Sequence, residues 1–382
     1  MLPYAPAVRI AVLGAGIMGT ATSRLLARRE DVELLVLDPD GERAESVVAQ
    51  VGRGRGVRVG IGDYNLPEAL RGVDAVAACI PYRLNLRAME AALDAEVPYA
   101  DLGGLFHMTF NQLELDARFR KTGEAAILGI GCCPGISNVL ARAAADRLDE
   151  VRSLDILDGS IEDAETFGVP YSMDTILDEF VRPAMVFEGG LMREVPPGSG
   201  AIRYRFPEPL GEMEAFYTLH SELATLPRTI EGVRDVRWRL ALPPKIAEGF
   251  RLLVSLGLAS EDPVDTPSGK VVPREVLRAL LIGASQPEGP PSDLEVLVVD
   301  AEGTRGGRPA RFRGAATFRP TAEGIGAGPF GTSIPLAVAA RWLADGRVPP
   351  GVHPPENAFP ADEFLRALEA EGVELSLSLE DG

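Results

Sequence analysis

The chain has 382 residues, 46% of them hydrophobic, and a formal net charge of −18. That length exceeds what one core usually serves, so two domains are expected. The charge repels a duplex or an anionic membrane surface and argues against nucleic acid or membrane as partners. An anionic cofactor must therefore be held by local dipoles. The three cysteines, Cys79, Cys132 and Cys133, form no C-x-x-C and leave an odd count. No disulfide framework and no metal site are expected from them, and a reducing cytoplasm fits. The start, Met1-Leu2-Pro3-Tyr4, carries no basic n-region, and no apolar run reaches the length of a membrane span.

A short apolar run with β-branched residues over 8–13 predicts a buried strand, and Gly14, Gly16 and Gly19 follow as G-x-G-x-x-G. In that motif Gly14 permits the turn, Gly16 lets a pyrophosphate approach bare backbone, and Gly19 lets the helix pack close to the strand. The helix opens with Ile17 and Met18 and aims its free N–H groups at the phosphates. A second strand over 32–37 ends in Asp38, 19 residues after Gly19 (38 − 19), where such folds place the acid that holds the adenosine ribose. Asp38 accepts hydrogen bonds from ribose hydroxyls and repels a 2′-phosphate, so NAD is expected rather than NADP. Asp40 and Glu42 add negative charge nearby, and Arg43 is the one close cation. The alternative is a glycine turn without a ligand.

The alternation continues. A helix is expected over 41–52, a strand over 57–61 leading to Asp63, and a short helix over 66–70. A strand over 74–80 comes next, closed by Ile80 and Pro81, then a helix over 85–93. Tyr99-Ala100-Asp101 leads into Leu102-Gly103-Gly104, followed by a charged helix over 113–121 and a sixth strand over 125–130. Strands alternating with helices imply an α/β fold with a doubly wound parallel sheet. Ligands bind beyond the carboxyl ends of such strands, so Gly14, Asp38, Asp63, Pro81, Asp101 and Gly131 are expected on that edge. Pro134 and Gly135 precede a helix over 139–148. They read equally as an anion- or carbonyl-binding turn and as an ordinary strand-to-helix turn.

From residue 151 the texture changes. Strand-like runs at 154–157, 201–206, 236–242, 294–299 and 310–318 suggest an antiparallel or mixed sheet. Helices are expected over 172–180, 247–258 and 273–282, with a Pro/Gly loop over 287–292. An apolar helix over 334–343, a rigid proline stretch over 348–355 and a last helix over 361–371 close the chain.

Several motifs stand in order: Asp101-Leu102-Gly103-Gly104, Cys133-Pro134-Gly135-Ile136-Ser137-Asn138, Leu177-Asp178-Glu179-Phe180, and Tyr217-Thr218-Leu219-His220-Ser221-Glu222-Leu223-Ala224-Thr225-Leu226-Pro227. Together with the stretch 332–353 they resemble the saccharopine dehydrogenase family, in its branch of saccharopine reductase and L-lysine 6-dehydrogenase. The resemblance implies an N-terminal Rossmann domain over 1–136 and an inserted α+β domain over 137–330 for substrate binding and dimerisation. A C-terminal helical segment over 331–382 would return to the Rossmann half. It also implies hydride transfer between nicotinamide and a nitrogen-bearing carbon of an amino acid, by a homodimer. Around 219–224 the chain departs from the glycine- and serine-rich stretch of the lysine 6-dehydrogenase version.

Oxidising a C–N bond needs a neutral amine, so a base must accept or hold off its proton. Histidine, with a reference pKa of about 6.5, suits this. His353 lies among prolines and reads as structural or exposed, and His107 follows the Gly-Gly turn. His220 has Glu222 two residues on; on a strand the two share a face and would project together into the cleft. The alternative is a solvent-facing pair. Asp101 is placed to bind the substrate amine or the cofactor ribose, or else to cap its turn. Arg83 and Arg228 are candidates for paired hydrogen bonds to a substrate carboxylate, against the alternative of surface arginines. Cys132 and Cys133 read as packing residues and Lys245 as a surface charge. Two other functions remain open: a non-catalytic dinucleotide-binding sensor or scaffold, and a reductase of a polyamine-pathway imine.

Overall fold

The computed structural model describes residues 7–161, 172–283 and 290–382. The start of the chain and the first half of the loop expected over 287–292 lie outside them. The N-terminal half runs β1 (Val8–Leu13), α1 (Ile17–Leu26), β2 (Val32–Asp38), α2 (Gly41–Val51), β3 (Arg55–Arg58), α3 (Leu66–Leu70), β4 (Ala75–Ala78), α4 (Asn85–Ala95), β5 (Tyr99–Asp101), α5 (Phe106–Leu113), α6 (Asp116–Thr122) and β6 (Ala125–Ile127). Then come α7 (Ile136–Ala145), β7 (Glu150–Ile161), α8 (Met173–Val181), β8 (Ala184–Glu188), β9 (Leu191–Val195), β10 (Ile202–Arg205), β11 (Glu212–Tyr217), α9 (Glu222–Thr229), β12 (Asp235–Ala241), α10 (Pro244–Ser255), β13 (Val264–Thr266), β14 (Gly269–Val271) and α11 (Pro273–Gly283). The chain ends with β15 (Leu294–Arg305), β16 (Arg308–Phe318), α12 (Ala327–Ala344), β17 (Gly351–His353), α13 (Pro355–Ala358), α14 (Ala361–Ala370) and β18 (Glu374–Asp381).

Seven strands form a parallel sheet in the order β17-β6-β5-β4-β1-β2-β3. Ile10, Ala11, Val12 and Leu13 are wholly buried, as a strand covered on both faces requires. The strand order reverses between β1 and β4, which makes that edge a topological switch point, the usual ligand crevice of such sheets. The second sheet has nine strands, with the path β10-β11-β12-β7-β15-β16-β18, β8 pairing with β12 and β9 with β8. All its pairings are antiparallel except β12 with β7.

Helix α12 joins the two sheets. Its sequence is apolar nearly all round, the pattern of a helix buried on every side. It packs on α1, β4 and β5 on one side and on β15 and β16 on the other. Val139, Leu140, Leu297, Phe312 and Leu336 consequently share one core with Ile10 and Val12.

Several expectations are corrected. The sixth strand ends at Ile127 rather than 130, because the backbone then turns in towards Asp101: Gly129 N donates to its carboxylate at 2.8 Å and Ile130 N to its carbonyl at 2.8 Å. The helix expected over 113–121 is two helices, α5 and α6; α5 buries Phe106, Thr109 and Gln112. The proline stretch contains β17, an edge strand of the first sheet. The C-terminal segment returns to the Rossmann half through α12 and β17. Its end, Glu-Leu-Ser-Leu-Ser-Leu-Glu-Asp, alternates with period two and pairs along β16 as β18, a strand the sequence analysis did not read.

Candidate active site

The glycine turn between β1 and α1 is built as its spacing requires. Gly14 has φ +95°, and its N–H donates to Leu37 O at 2.7 Å. A Cβ at Gly14 would lie 2.5 Å from Cys79 O, and one at Gly19 would lie 1.8 Å from Gly14 O. At Gly16 a Cβ would meet nothing within 4 Å, so the space beside it is open. Gly16 is the N-cap of α1 and supplies no side chain, so no capping group occupies the first-turn N–H donors. Ile17 is 63% exposed beside them. Open space, bare backbone and a free helix N-terminus fit the pyrophosphate of a dinucleotide. Asp38 is buried; it accepts from Ala15 N at 2.8 Å and from Asp40 N at 2.9 Å, which fixes its carboxylate beside the turn. Ile80 flanks Gly14, and Pro81 stands exposed on the same edge. Asp63 is exposed and takes Gly60 N at 2.7 Å, closing its own loop.

Asp101 does not occupy the place expected for it. It is fully buried, its Oδ1 accepts from Gly103 N and Gly129 N at 2.8 Å each, and its Oδ2 accepts from Gln112 Nε2 at 2.6 Å. With both oxygens so engaged, the carboxylate ties the loops that follow β5 and β6 to α5. Gly131, Pro134 and Gly135 are likewise buried. Gly131 N donates to Pro134 O at 2.8 Å, and a Cβ at Gly135 would lie 2.0 Å from Gly131 O. The Pro134 ring fills the space over Gly103 and Gly129. This turn is a packed support, and the ligand contacts expected of Gly131, Pro134 and Gly135 are replaced by contacts within the chain.

The His220–Glu222 pair does meet, though by a different local structure. His220 follows β11 in an irregular link, and Glu222 opens α9, so helix entry rather than strand alternation aligns them. His220 Nδ1 and Glu222 Oε2 are hydrogen-bonded. Glu222 Oε1 accepts from Ser137 Oγ at 2.7 Å, at the start of α7. The imidazole stacks on Trp238 with ring centroids 3.8 Å apart and a 15° interplanar angle. Trp238 is held in turn by Nε1 donating to Thr218 Oγ1 at 2.9 Å. Burial opposes a charged imidazolium here, but Glu222, Glu179 and Asp158 outweigh it and raise the His220 pKa. Behind Ser137, Asn138 Oδ1 accepts from Gly135 N at 3.1 Å, and Asn138 Nδ2 donates to Glu356 at 2.8 Å. The network therefore runs from His220 to the supporting turn and on to α13.

Arg83 is not free to take a carboxylate. It pairs with Asp178 at 2.8 Å and Glu261 at 2.9 Å, and Tyr82 also donates to Asp178. Arg274 reaches the same carboxylate at 2.7 Å. These contacts strap the β4 edge to α8 and α11. Arg228 is exposed on α9, stacks over Phe110 at 4.3 Å, and has no carboxylate partner among the described residues. His107 is exposed, and His353 Nε2 bonds to Pro349 O at 2.8 Å. Sequence reasoning missed Tyr82, Trp238 and Glu356 as parts of the site, and quoted Ser137 and Asn138 in a motif without seeing their link to Glu222 and Glu356. Asp178 and Glu179 stood in a quoted motif but carried no role.

Comparison with known proteins matches both halves. The saccharopine dehydrogenase NADP-binding domain matches residues 10–127, and the saccharopine dehydrogenase C-terminal domain matches residues 131–373. The chain belongs to the saccharopine dehydrogenase family. It is accordingly a nicotinamide-dependent oxidoreductase, a dehydrogenase or reductase acting on CH–NH groups. Carboxyaminopropylagmatine dehydrogenase of Synechocystis is 23% identical over 289 residues, 72% of either chain. Saccharopine dehydrogenase (L-Glu forming) of Saccharomyces cerevisiae superposes with a TM-score of 0.78 at 17% identity, over 98% of this chain and 100% of that one. That likeness shows the shared fold. No helix among the described residues is long and apolar enough to cross a membrane.

Proposed function

We propose that this enzyme passes hydride between NAD and a nitrogen-bearing carbon of an amino-acid substrate, with His220 managing the amine proton. The observation that carries the reading is the buried His220–Glu222–Ser137 chain, reached from the turn that supports the carboxyl edge of the parallel sheet. The nicotinamide supplies the hydride acceptor or donor. Glu222 holds the imidazole by Nδ1, which leaves Nε2 to take the proton of an ammonium, or to return one to an imine nitrogen. Trp238 fixes the ring plane by stacking. Asp38 supports NAD, because an acid at the end of β2 suits ribose hydroxyls and repels a 2′-phosphate.

The acids around His220 sharpen the substrate class. Asp158, Glu179 and Glu222 all act electrostatically on His220, so a cationic amine is favoured there. Arg228, exposed and paired with no acid among the described residues, is the residue to hold a substrate carboxylate. The acid-rich setting and the polyamine name of the Synechocystis relative favour a second reading, in which the substrate is an amino acid condensed with a polyamine. A non-catalytic sensor has no use for a buried His–Glu–Ser chain. The test is a substrate screen with both nicotinamides, read at the absorbance of the reduced ring. It should include lysine, saccharopine and carboxyalkylated polyamines. Turnover of none of the amino compounds would reject the proposal.

A further inference from the structure

Cys132 and Cys133 lie between β6 and α7, and the proposed reaction uses neither. Their Sγ atoms are 3.8 Å apart. Two thiolates bound tetrahedrally to zinc at about 2.3 Å stand about 3.8 Å from one another, so the pair already spans one edge of such a tetrahedron. The third corner comes from β7: a carboxylate oxygen of Asp158 and the two Sγ atoms all lie within 4.8 Å of one another. Asp158 Oδ1 is shielded from solvent and has no hydrogen-bond partner among the described residues, which is costly for a carboxylate unless a cation or proton meets it. Glu295 stands beside both Asp158 and Cys132 and hydrogen-bonds the Cys132 thiol; burial holds its carboxyl well above the usual carboxylate range. Cys133 and Asp158 are only partly buried, so an ion has a way in. Adjacent cysteines match no ligand-spacing motif, and Asp158 arrives only through the fold, so the sequence analysis expected no metal.

We infer that Cys132, Cys133 and Asp158 form a site for a thiolate-preferring divalent cation of the zinc class, with water in the fourth position. Two thiolates and one carboxylate around a divalent ion leave the site net negative, and binding releases the thiol protons. The site stands independently of the proposed reaction.

The test uses the full chain, reduced with a phosphine and stripped of metal, and titrated with Cd²⁺ alone. The readout is the thiolate-to-metal charge-transfer absorption. One equivalent per chain should saturate the band, and Zn²⁺ should displace it. Cys79→Ser should leave the band intact, while Cys133→Ser should remove about half of it. Asp158→Asn should keep both thiolates but weaken affinity by about tenfold or more. Where Cys132→Ser fails to fold by circular dichroism, Cys133→Ser and Asp158→Asn still decide the matter. No band at stoichiometric Cd²⁺, or unchanged affinity in Asp158→Asn, overturns the site. So does a count of one free thiol in the protein before reduction, since the pair would then be a disulfide. Cadmium binding without any substrate turned over would sink the proposed function and leave the metal site standing.

Discussion

Gly16 and Gly19 stand three residues apart in one turn, and their hydrogens face different neighbours. A Cβ at Gly16 enters open space, whereas at Gly19 it enters the Gly14 carbonyl at 1.8 Å. Gly16→Val should therefore keep the fold and lose dinucleotide binding, read by calorimetry or nicotinamide fluorescence. Gly19→Ala should lose stability itself, by about 1–3 kcal/mol or more, the usual cost of forcing atoms into a packed place; its denaturant midpoint checks this. At Asp38 the expected result is tighter binding of NAD than NADP, with Asp38→Ser narrowing the gap. Equal affinities in the parent protein would contradict the role given to its carboxylate. His220→Ala should lower turnover by roughly 10²–10⁴-fold, the usual contribution of a general base, with little change in NAD affinity. The pH profile gives a further check. The His220 pKa is raised above its ordinary value of 6.5, so amine oxidation should gain activity as pH rises through a limb above that value. Glu222→Gln removes an anion that stabilises the imidazolium, so that limb should move to lower pH. A raised folded pKa also means that the stabilisation by charged His220 is present below about 6.5 and fades as pH climbs through the folded value.

Between residue and fold, the loops at the carboxyl edge behave as one element because Asp101 binds them. Its carboxylate satisfies Gly103 N, Gly129 N and Gln112 Nε2. Asp101→Ala would strand three buried donors, each costing about 1–3 kcal/mol when left unmet. The expected outcome is a marked fall in denaturant midpoint together with lost activity. A variant of unaltered stability that had lost only turnover would restore Asp101 to a direct chemical role. The glycine motif and the Asp38 spacing were readable because each is local: a turn, a helix start and a strand end within one βαβ unit. The Asp101 network was not, since Gly129 and Gln112 reach it from other elements and a buried brace leaves the same letter in the sequence as a catalytic acid. The His220–Glu222 pair was legible as a spacing, but its geometry comes from the start of α9, and the orienting Ser137 comes from α7.

Across the whole molecule, α12 makes the two sheets share a core, so the halves are expected to unfold together rather than in sequence. The second half also leaves apolar side chains outside: Leu252 on α10 and Leu256 at its C-terminal cap are 58% and 65% exposed, and Leu280 on α11 is 66% exposed. Such a surface suits burial against a second copy, and the expected assembly is a homodimer through this half. Light scattering at micromolar concentration should read twice the chain mass, and Leu256→Glu with Leu280→Glu should reduce it to one. A parent protein that is already monomeric removes the proposal.

The amino-acid sequence by itself determined the parallel sheet, the dinucleotide turn and the family. Those rest on period, on glycine spacing and on motifs within short stretches, where neighbours in sequence are neighbours in space. Only the tertiary structure decided where the polar residues lie and what they touch. Burial closed Asp101 away, and cross-half ion pairs with Asp178 and Glu261 occupied Arg83. Asp158 was carried to Cys132 and Cys133, and Trp238 was laid beneath His220. The physical reason is that a side chain's chemistry depends on its access to solvent and on its partners. In this fold those partners come from distant strands and helices brought together around α7 and α12.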